Sequence, residues 1–222
     1  MIFAMKVTDI ISRYGIKYFE KKISKKKFDR VIRMGNINRA NGMLMGELMI
    51  RKLISDTFNI KTSEIEINTD DFGKPYLKNI LDLKFNISYS TGWVVCVIDN
   101  EEIGIDIEYI YPLEPHYLSN MLSDIERRYI EEKPNSIDRL FKIWTLKECY
   151  LKALGIGLSV PLHELTFNKV DKKWNLESNL FDYDTNFKFK QISFDENYVV
   201  SLCTKKEHFN THVKLMEHSN II

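Results

Sequence analysis

The sequence predicts an α+β fold of two similar halves, a pseudo-dimer within one chain, each half a helix packed on a small antiparallel sheet. Two observations predict it: a helical pattern followed by alternating strand patterns, and the return of that order in the second half. Glycine and proline punctuate the joins, as turns require. A chain of 222 residues can bury a core of this kind.

In chain order, "NGMLMGELMIRKLISDTF", residues 41–58, reads as the first helix, with Leu44, Leu48 and Ile54 on or near one face. Gly42 and Gly46, four apart, permit close packing there. "DDFGKPYL", residues 70–77, holds Gly73 and Pro75 and reads as a turn. "LKFNISYSTGWVVCVIDN" gives two strands around Thr91-Gly92, and "IGIDIEYI", residues 103–110, gives another. A division near residue 105 follows, with an N-terminal half of 1–104 and a C-terminal half of 105–222. The second helix has Asn135 or Ser136 as its cap and Gly155 as its left-handed terminator. Leu140, Ile143, Trp144, Leu151 and Leu154 form its apolar stripe, with Phe141 at the edge, Glu148 inside it and Lys152 at its margin. "FKFKQISF" and "YVVSLCT" supply the last alternating strands.

Composition is that of a soluble protein, 44% hydrophobic and 28% charged. "WVVCVI" is too short to span a bilayer and "MIFAMKVTDI" has no signal-peptide pattern, so neither membrane nor export is expected. Cys96, Cys149 and Cys203 are far apart and form no CxxC pair, which points to a reduced, cytoplasmic protein without zinc. The net charge of +1 hides an asymmetry: residues 1–40 carry net +8 and the remainder net −7. The basic run "KKISKKKFDR", residues 21–30, is either a solvated lysine-rich face or a docking surface for a phosphate-rich ligand or acidic partner.

The chemistry lies in the acids. Gly104, Asp106 and Glu108 share one strand face, and two carboxylates about 7 Å apart there repel each other. Glu148, on a core-facing helix stripe, needs compensation that an exposed pair with Lys152 supplies poorly. Brought together, Asp106, Glu108 and Glu148 make a hard-oxygen set suited to Mg²⁺ or Mn²⁺, with Gly104 leaving room for the ligand.

"GIDIE" followed by "WTLKECYLKALGIGL" resembles the paired signature of the 4′-phosphopantetheinyl transferases of the surfactin-synthesis type. "FGKPYL" and "FNISYSTGWVVCVI" are similar to two further segments of that family, so the resemblance spans about residues 40–165. Cys149 replaces its usual Ala or Ser, Tyr89 a common histidine, and Gly42 a common basic residue that nearby Arg39 could replace. The resemblance implies two α+β halves with coenzyme A between them. It implies transfer of 4′-phosphopantetheine to a serine of an apo acyl- or peptidyl-carrier protein, releasing adenosine 3′,5′-bisphosphate. By matching position, Asp106, Glu108 and Glu148 would hold Mg²⁺ against the pyrophosphate and Lys152 would pair with its oxygens. Lys74, Pro75 and Ser88, with Tyr89, would line the adenine and 3′-phosphate site, where a basic residue of 25–27 could add a clamp. Glu148 and Glu126 are the candidate proton acceptors; Glu126 equally fits N3 of a capping box begun by Ser123.

Trp144 reads as a core anchor, Lys147 as a support behind the site or a solvent-facing group. His116, His163, His208, His212 and His218 take no role. The rivals are a Mg²⁺-dependent nuclease and a non-enzymatic basic binding module. The expected partners are coenzyme A and a carrier protein, with no nucleic acid and no membrane, and a monomer suffices.

Overall fold

The structure, a computed structural model, describes residues 1–80, 82–113, 120–132, 136–178 and 183–222. Asn135 and His116 lie outside the described residues. The first half comprises β1 (Ile2–Lys6), α1 (Ile10–Tyr14), α2 (Lys25–Ile32), α3 (Ile37–Phe58), β2 (Ile67–Thr69), β3 (Pro75–Leu77), β4 (Lys84–Ser90) and β5 (Trp93–Asp99). The second comprises β6 (Ile103–Tyr109), α4 (Asp124–Glu131), α5 (Ser136–Leu154), β7 (Leu165–Val170), β8 (Lys173–Ser178), β9 (Lys188–Ile192), β10 (Tyr198–Thr204) and β11 (Val213–Leu215).

A four-stranded sheet runs β11-β1-β5-β4, a five-stranded sheet runs β6-β10-β9-β8-β7, and β2-β3 form a small hairpin. The α+β fold with one main helix on each sheet agrees with the sequence. The expected cut at 104/105 lies within β6, and β11 returns to pair in parallel with β1 of the first sheet.

Side-chain alternation on the strands divides the sheet residues among the main cores. On β5, Val94 and Cys96 face α3, while Val95 and Val97 face the other sheet. On β6, Ile103, Ile105 and Ile107 meet Ile2, Ala4, Val200 and Leu202 between the two sheets. Cys149 and Leu146 of α5 pack with Phe167, Phe189 and Cys203 on the far side of the second sheet. The layers are thus α3, sheet, sheet, α5, and each fully buried Ile or Val contributes ~1.5–3 kcal/mol by leaving water.

Both main helices sit on glycine. A Cβ at Gly46 would lie 2.9 Å from Ile87 Cγ2, and one at Gly42 3.1 Å from the Tyr89 ring, so this pair does let α3 approach β4. At Gly104 a Cβ would stand 1.8 Å from the Cys149 carbonyl oxygen and 2.8 Å from Ala153 N. Gly104 therefore makes room for the backbone of α5, not for a ligand. α5 ends at Gly155, whose φ of 76° is the left-handed value that favours glycine.

β4 and β6, the facing edges of the two sheets, run in the same direction. They join through side chains: Asn86 Oδ1 accepts from Ile105 N at 3.1 Å, and Ser90 Oγ accepts from Tyr109 N at 3.0 Å. The polar alternation of "FNISYS" thereby satisfies outward amides of an edge strand that would otherwise be orphaned.

Candidate active site

A cleft of about 930 Å³ opens between the halves. Its floor is acidic. Asp106 and Glu108 reach it from β6, Glu148 and Lys152 from α5, and Ser88 and Ser90 from β4. Lys152 Nζ donates to Asp106 Oδ1 at 2.5 Å and to Ser88 Oγ at 2.7 Å; Ser88 Oγ donates to the same Asp106 oxygen at 2.8 Å. Asp106 is buried, yet among the described residues its Oδ2 has no hydrogen-bond partner. Glu108 accepts from Ser90 Oγ at 3.0 Å and from Trp144 Nε1 at 3.3 Å.

The electrostatics follow from this crowding. Burial, then repulsion by Asp106, pushes the Glu148 carboxyl up to about 7, against the pull of Lys152. Burial and Asp106 also raise Glu108, opposed by its bonds to Ser90 and Trp144. Burial works against the Lys152 charge, but Asp106, Glu148 and Glu108 outweigh it and hold that ammonium above its ordinary value. A single ammonium among three carboxylates leaves the floor short of positive charge.

The three acids share the cleft, but among the described residues no group of three is arranged to close around an ion as the side chains stand. Lys152 holds Asp106 instead. The donor set nevertheless fits a hard divalent cation: all oxygen, under-compensated, with an unpartnered Asp106 Oδ2.

Glu148 falls on the cleft side of α5 with Trp144, Leu151 and Lys152, so the expected core-facing stripe is in part the cleft wall. Trp144, read as a core anchor, is half-buried there and bonds Glu108. Lys147 does not face solvent: it is fully buried, donating to the carbonyls of Met121, Leu162 and Leu165 at 2.7–2.8 Å and pairing with Glu126 at 2.7 Å.

Glu126 corrects the sequence reading most. It is fully buried and does not line the cleft. Its oxygens accept from Ser123 N at 2.9 Å and Phe167 N at 2.8 Å besides Lys147, and with Ser123 it completes a capping box. A carboxylate so enclosed has no path to an incoming serine, so Glu126 is a structural anchor.

The other end of the cleft is basic. Arg30 of α2 and Arg39 of α3 line it with Tyr89, and Arg39 Nε approaches the Tyr89 hydroxyl at 3.4 Å. Lys25, Lys26 and Lys27 do not line it; Lys26 bonds Thr69 Oγ1, and burial lowers Lys27. A side wall comes from the β2–β3 turn, where Asp70 Oδ1 accepts from Lys74 N at 2.8 Å and shapes Gly73, Lys74 and Pro75. The Lys74 ammonium points elsewhere, to the Ala153 carbonyl at the end of α5 and to Glu102 at 3.1 Å. Sequence reasoning missed Arg30, Ser90, Asn86 and the contact of Trp144. The even-spaced polar residues of "FNISYS" were the available signal.

Residues 102–203 match the 4′-phosphopantetheinyl transferase superfamily, and residues 14–101 match a family described as 4′-phosphopantetheinyl transferase, N-terminal. The chain is 33% identical over 167 residues to the 4′-phosphopantetheinyl transferase gsp of Aneurinibacillus migulanus, covering 74% of this chain and 70% of that one. It is 27% identical to the 4′-phosphopantetheinyl transferase Sfp of Bacillus subtilis (strain 168), covering 90% of each. The solved holo-[acyl-carrier-protein] synthase of Thermotoga maritima overlays partially, at a TM-score of 0.40 and 22% identity, over 46% of this chain and 61% of that one. The nuclease and basic-module readings draw no support from these relatives. With 33% identity to gsp over 167 aligned residues that cover most of both chains, this protein belongs to the 4′-phosphopantetheinyl transferase family.

Proposed function

We propose that the cleft binds coenzyme A and moves its 4′-phosphopantetheine group onto a serine hydroxyl of an apo acyl- or peptidyl-carrier protein, releasing adenosine 3′,5′-bisphosphate. The observation that carries this is the convergence of Asp106, Glu108, Glu148 and Lys152 at the junction of the halves. The serine oxygen forms a bond to the pantetheine-bearing phosphorus while that phosphorus loses its bond to the bridging pyrophosphate oxygen. Such transfer needs positioning and charge neutralisation more than covalent catalysis. Lys152, held by Asp106 and Ser88, presents a fixed cation to the leaving oxygens. Glu148, on the cleft side of α5 beside Lys152, is the carboxylate placed to accept the serine proton.

Asp106, Glu108 and Glu148 would hold Mg²⁺ or Mn²⁺, which when bound polarises pyrophosphate oxygens. Arg30, Arg39 and Tyr89 suit the 3′-phosphate, with Ser88 between the two ends and the Gly73-Lys74-Pro75 turn beside the nucleotide. Both halves of one chain build the cleft, which supports a monomer as the working unit. The free, buried Cys96, Cys149 and Cys203 support a reducing cytoplasm, and among the described residues no helix is long and apolar enough to cross a membrane.

Intact-mass measurement of an apo carrier protein, after incubation with this chain, coenzyme A and Mg²⁺, tests the reading. A gain of one phosphopantetheine group is expected. No gain on any of several fatty-acid, polyketide and peptide carriers defeats it.

A further inference from the structure

We infer that Ser90, from the first half of the chain, is a positioning residue that aims the Glu108 carboxylate of the second half into the cleft. The inference rests on the reading of Glu108 as an oxygen ligand. Ser90 ends β4 and lines the cleft. Its Oγ accepts from Tyr109 N at 3.0 Å and donates to Glu108 Oε2 at 3.0 Å. With an N–H already on the oxygen, the hydroxyl proton is directed to the carboxylate. The other oxygen, Oε1, accepts from Trp144 Nε1 on α5 at 3.3 Å. Two donors from two elements thus fix both oxygens of one carboxylate.

The geometry has an energetic reason. Glu108 is repelled by Asp106 on the same strand face, and it sits at the open end of β6, where Tyr109 is already exposed. A free side chain there would turn toward water and away from Asp106. Ser90 opposes that turn. Its neighbour Asn86 serves the same seam differently: it accepts from Ile105 N at 3.1 Å and donates to the Lys152 carbonyl at 3.4 Å, both backbone groups. Ser90 is therefore the seam residue that reaches an acid of the site from the strand's end.

The test uses the whole chain with Ser90→Ala and Ser90→Thr, the latter keeping the hydroxyl. Mn²⁺ alone is titrated and followed by the electron-spin signal of the free ion; kcat, the KM for coenzyme A and the melting temperature are measured beside it. Loss of a partner behind a ligand costs about 10–100-fold in metal affinity or activity. Ser90→Ala is expected to bind Mn²⁺ about tenfold more weakly and to lose kcat with KM unchanged, and Ser90→Thr to restore both. If the wild-type chain binds no Mn²⁺ but Ser90→Ala still loses kcat and Thr rescues it, the positioning role stands and the metal assignment of Glu108 falls. Wild-type kcat and Mn²⁺ affinity in Ser90→Ala would overturn the inference, as would a lower melting temperature with kcat per folded molecule unchanged.

Discussion

At the scale of single residues, the burial that sets Glu148 in the cleft is costly. Its carboxyl is raised from 4.5 to about 7, first by burial and then by Asp106. Between those values the folded chain holds a proton that the unfolded chain has lost, so stability falls as pH rises from about 4.5 to about 7. Melting temperatures of the metal-free chain should decline across that window, and Glu148→Gln should flatten the decline. A slope unchanged in the variant would mean another group carries it. Glu126 is the contrasting acid. Its charge answers the buried Lys147 ammonium, and its two oxygens accept separately from Ser123 N and Phe167 N; glutamine, with one acceptor oxygen, would keep only one of those bonds and leave the ammonium without a counter-charge. Breaking a buried pair from one side costs about 3–5 kcal/mol. Glu126→Gln should show a loss of that order in urea denaturation, since three carbonyls still hold Lys147 but one backbone N–H loses its acceptor, with turnover per folded molecule unchanged. A variant of native stability with turnover down about 10²-fold would restore Glu126 as the proton acceptor.

At the scale of elements, α5 and β6 carry the acids of the cleft, and glycine sets their separation. A Cβ at Gly104 meets backbone atoms of Cys149 and Ala153, which cannot turn aside as a side chain can. Overpacking a core typically costs about 1–3 kcal/mol, and Gly104→Ala should lie at the upper end by denaturant titration. It should also lose transfer activity, because Cys149 neighbours Glu148 and any shift of α5 carries that acid away from Asp106. Native stability with native activity would mean that β6, not α5, yields. The strands, the glycine-paired helix and the acids of the cleft were legible because period-2 and period-3.6 patterns follow directly from which face is buried. The purpose of Gly104 was not, since a missing side chain looks the same whether a ligand or a helix fills the space. The helix stripe around Glu148 read as wholly core-facing because a wheel cannot distinguish a core from a half-buried cleft wall, although the acid itself was assigned to the site. For Glu126, the Ser123–Glu126 spacing was visible, but its enclosure depends on Lys147 and Phe167, distant in sequence and brought together only by packing.

For the whole molecule, coenzyme A bridging the acidic floor and the arginine end would touch both halves and so couple them. Stabilisation by mass action reaches about 2.7 kcal/mol at a hundredfold excess over Kd. For a chain of this size that corresponds to roughly 5–10 °C in melting temperature. Coenzyme A with Mg²⁺ should give a shift of that order, and dephospho-coenzyme A a smaller one, because only the former offers a 3′-phosphate to Arg30, Arg39 and Tyr89. The variants then separate a ligand contact from a tie between halves. Arg39→Gln removes a cation that lines the cleft, and should bring the coenzyme A shift down to the dephospho-coenzyme A value. Lys74→Met removes an ammonium engaged with Ala153 and Glu102, so it should lower the melting temperature without ligand yet keep the difference between the two ligands. If instead Lys74→Met erases that difference and Arg39→Gln preserves it, the phosphate lies at the β2–β3 turn, and the basic end of the cleft serves something else.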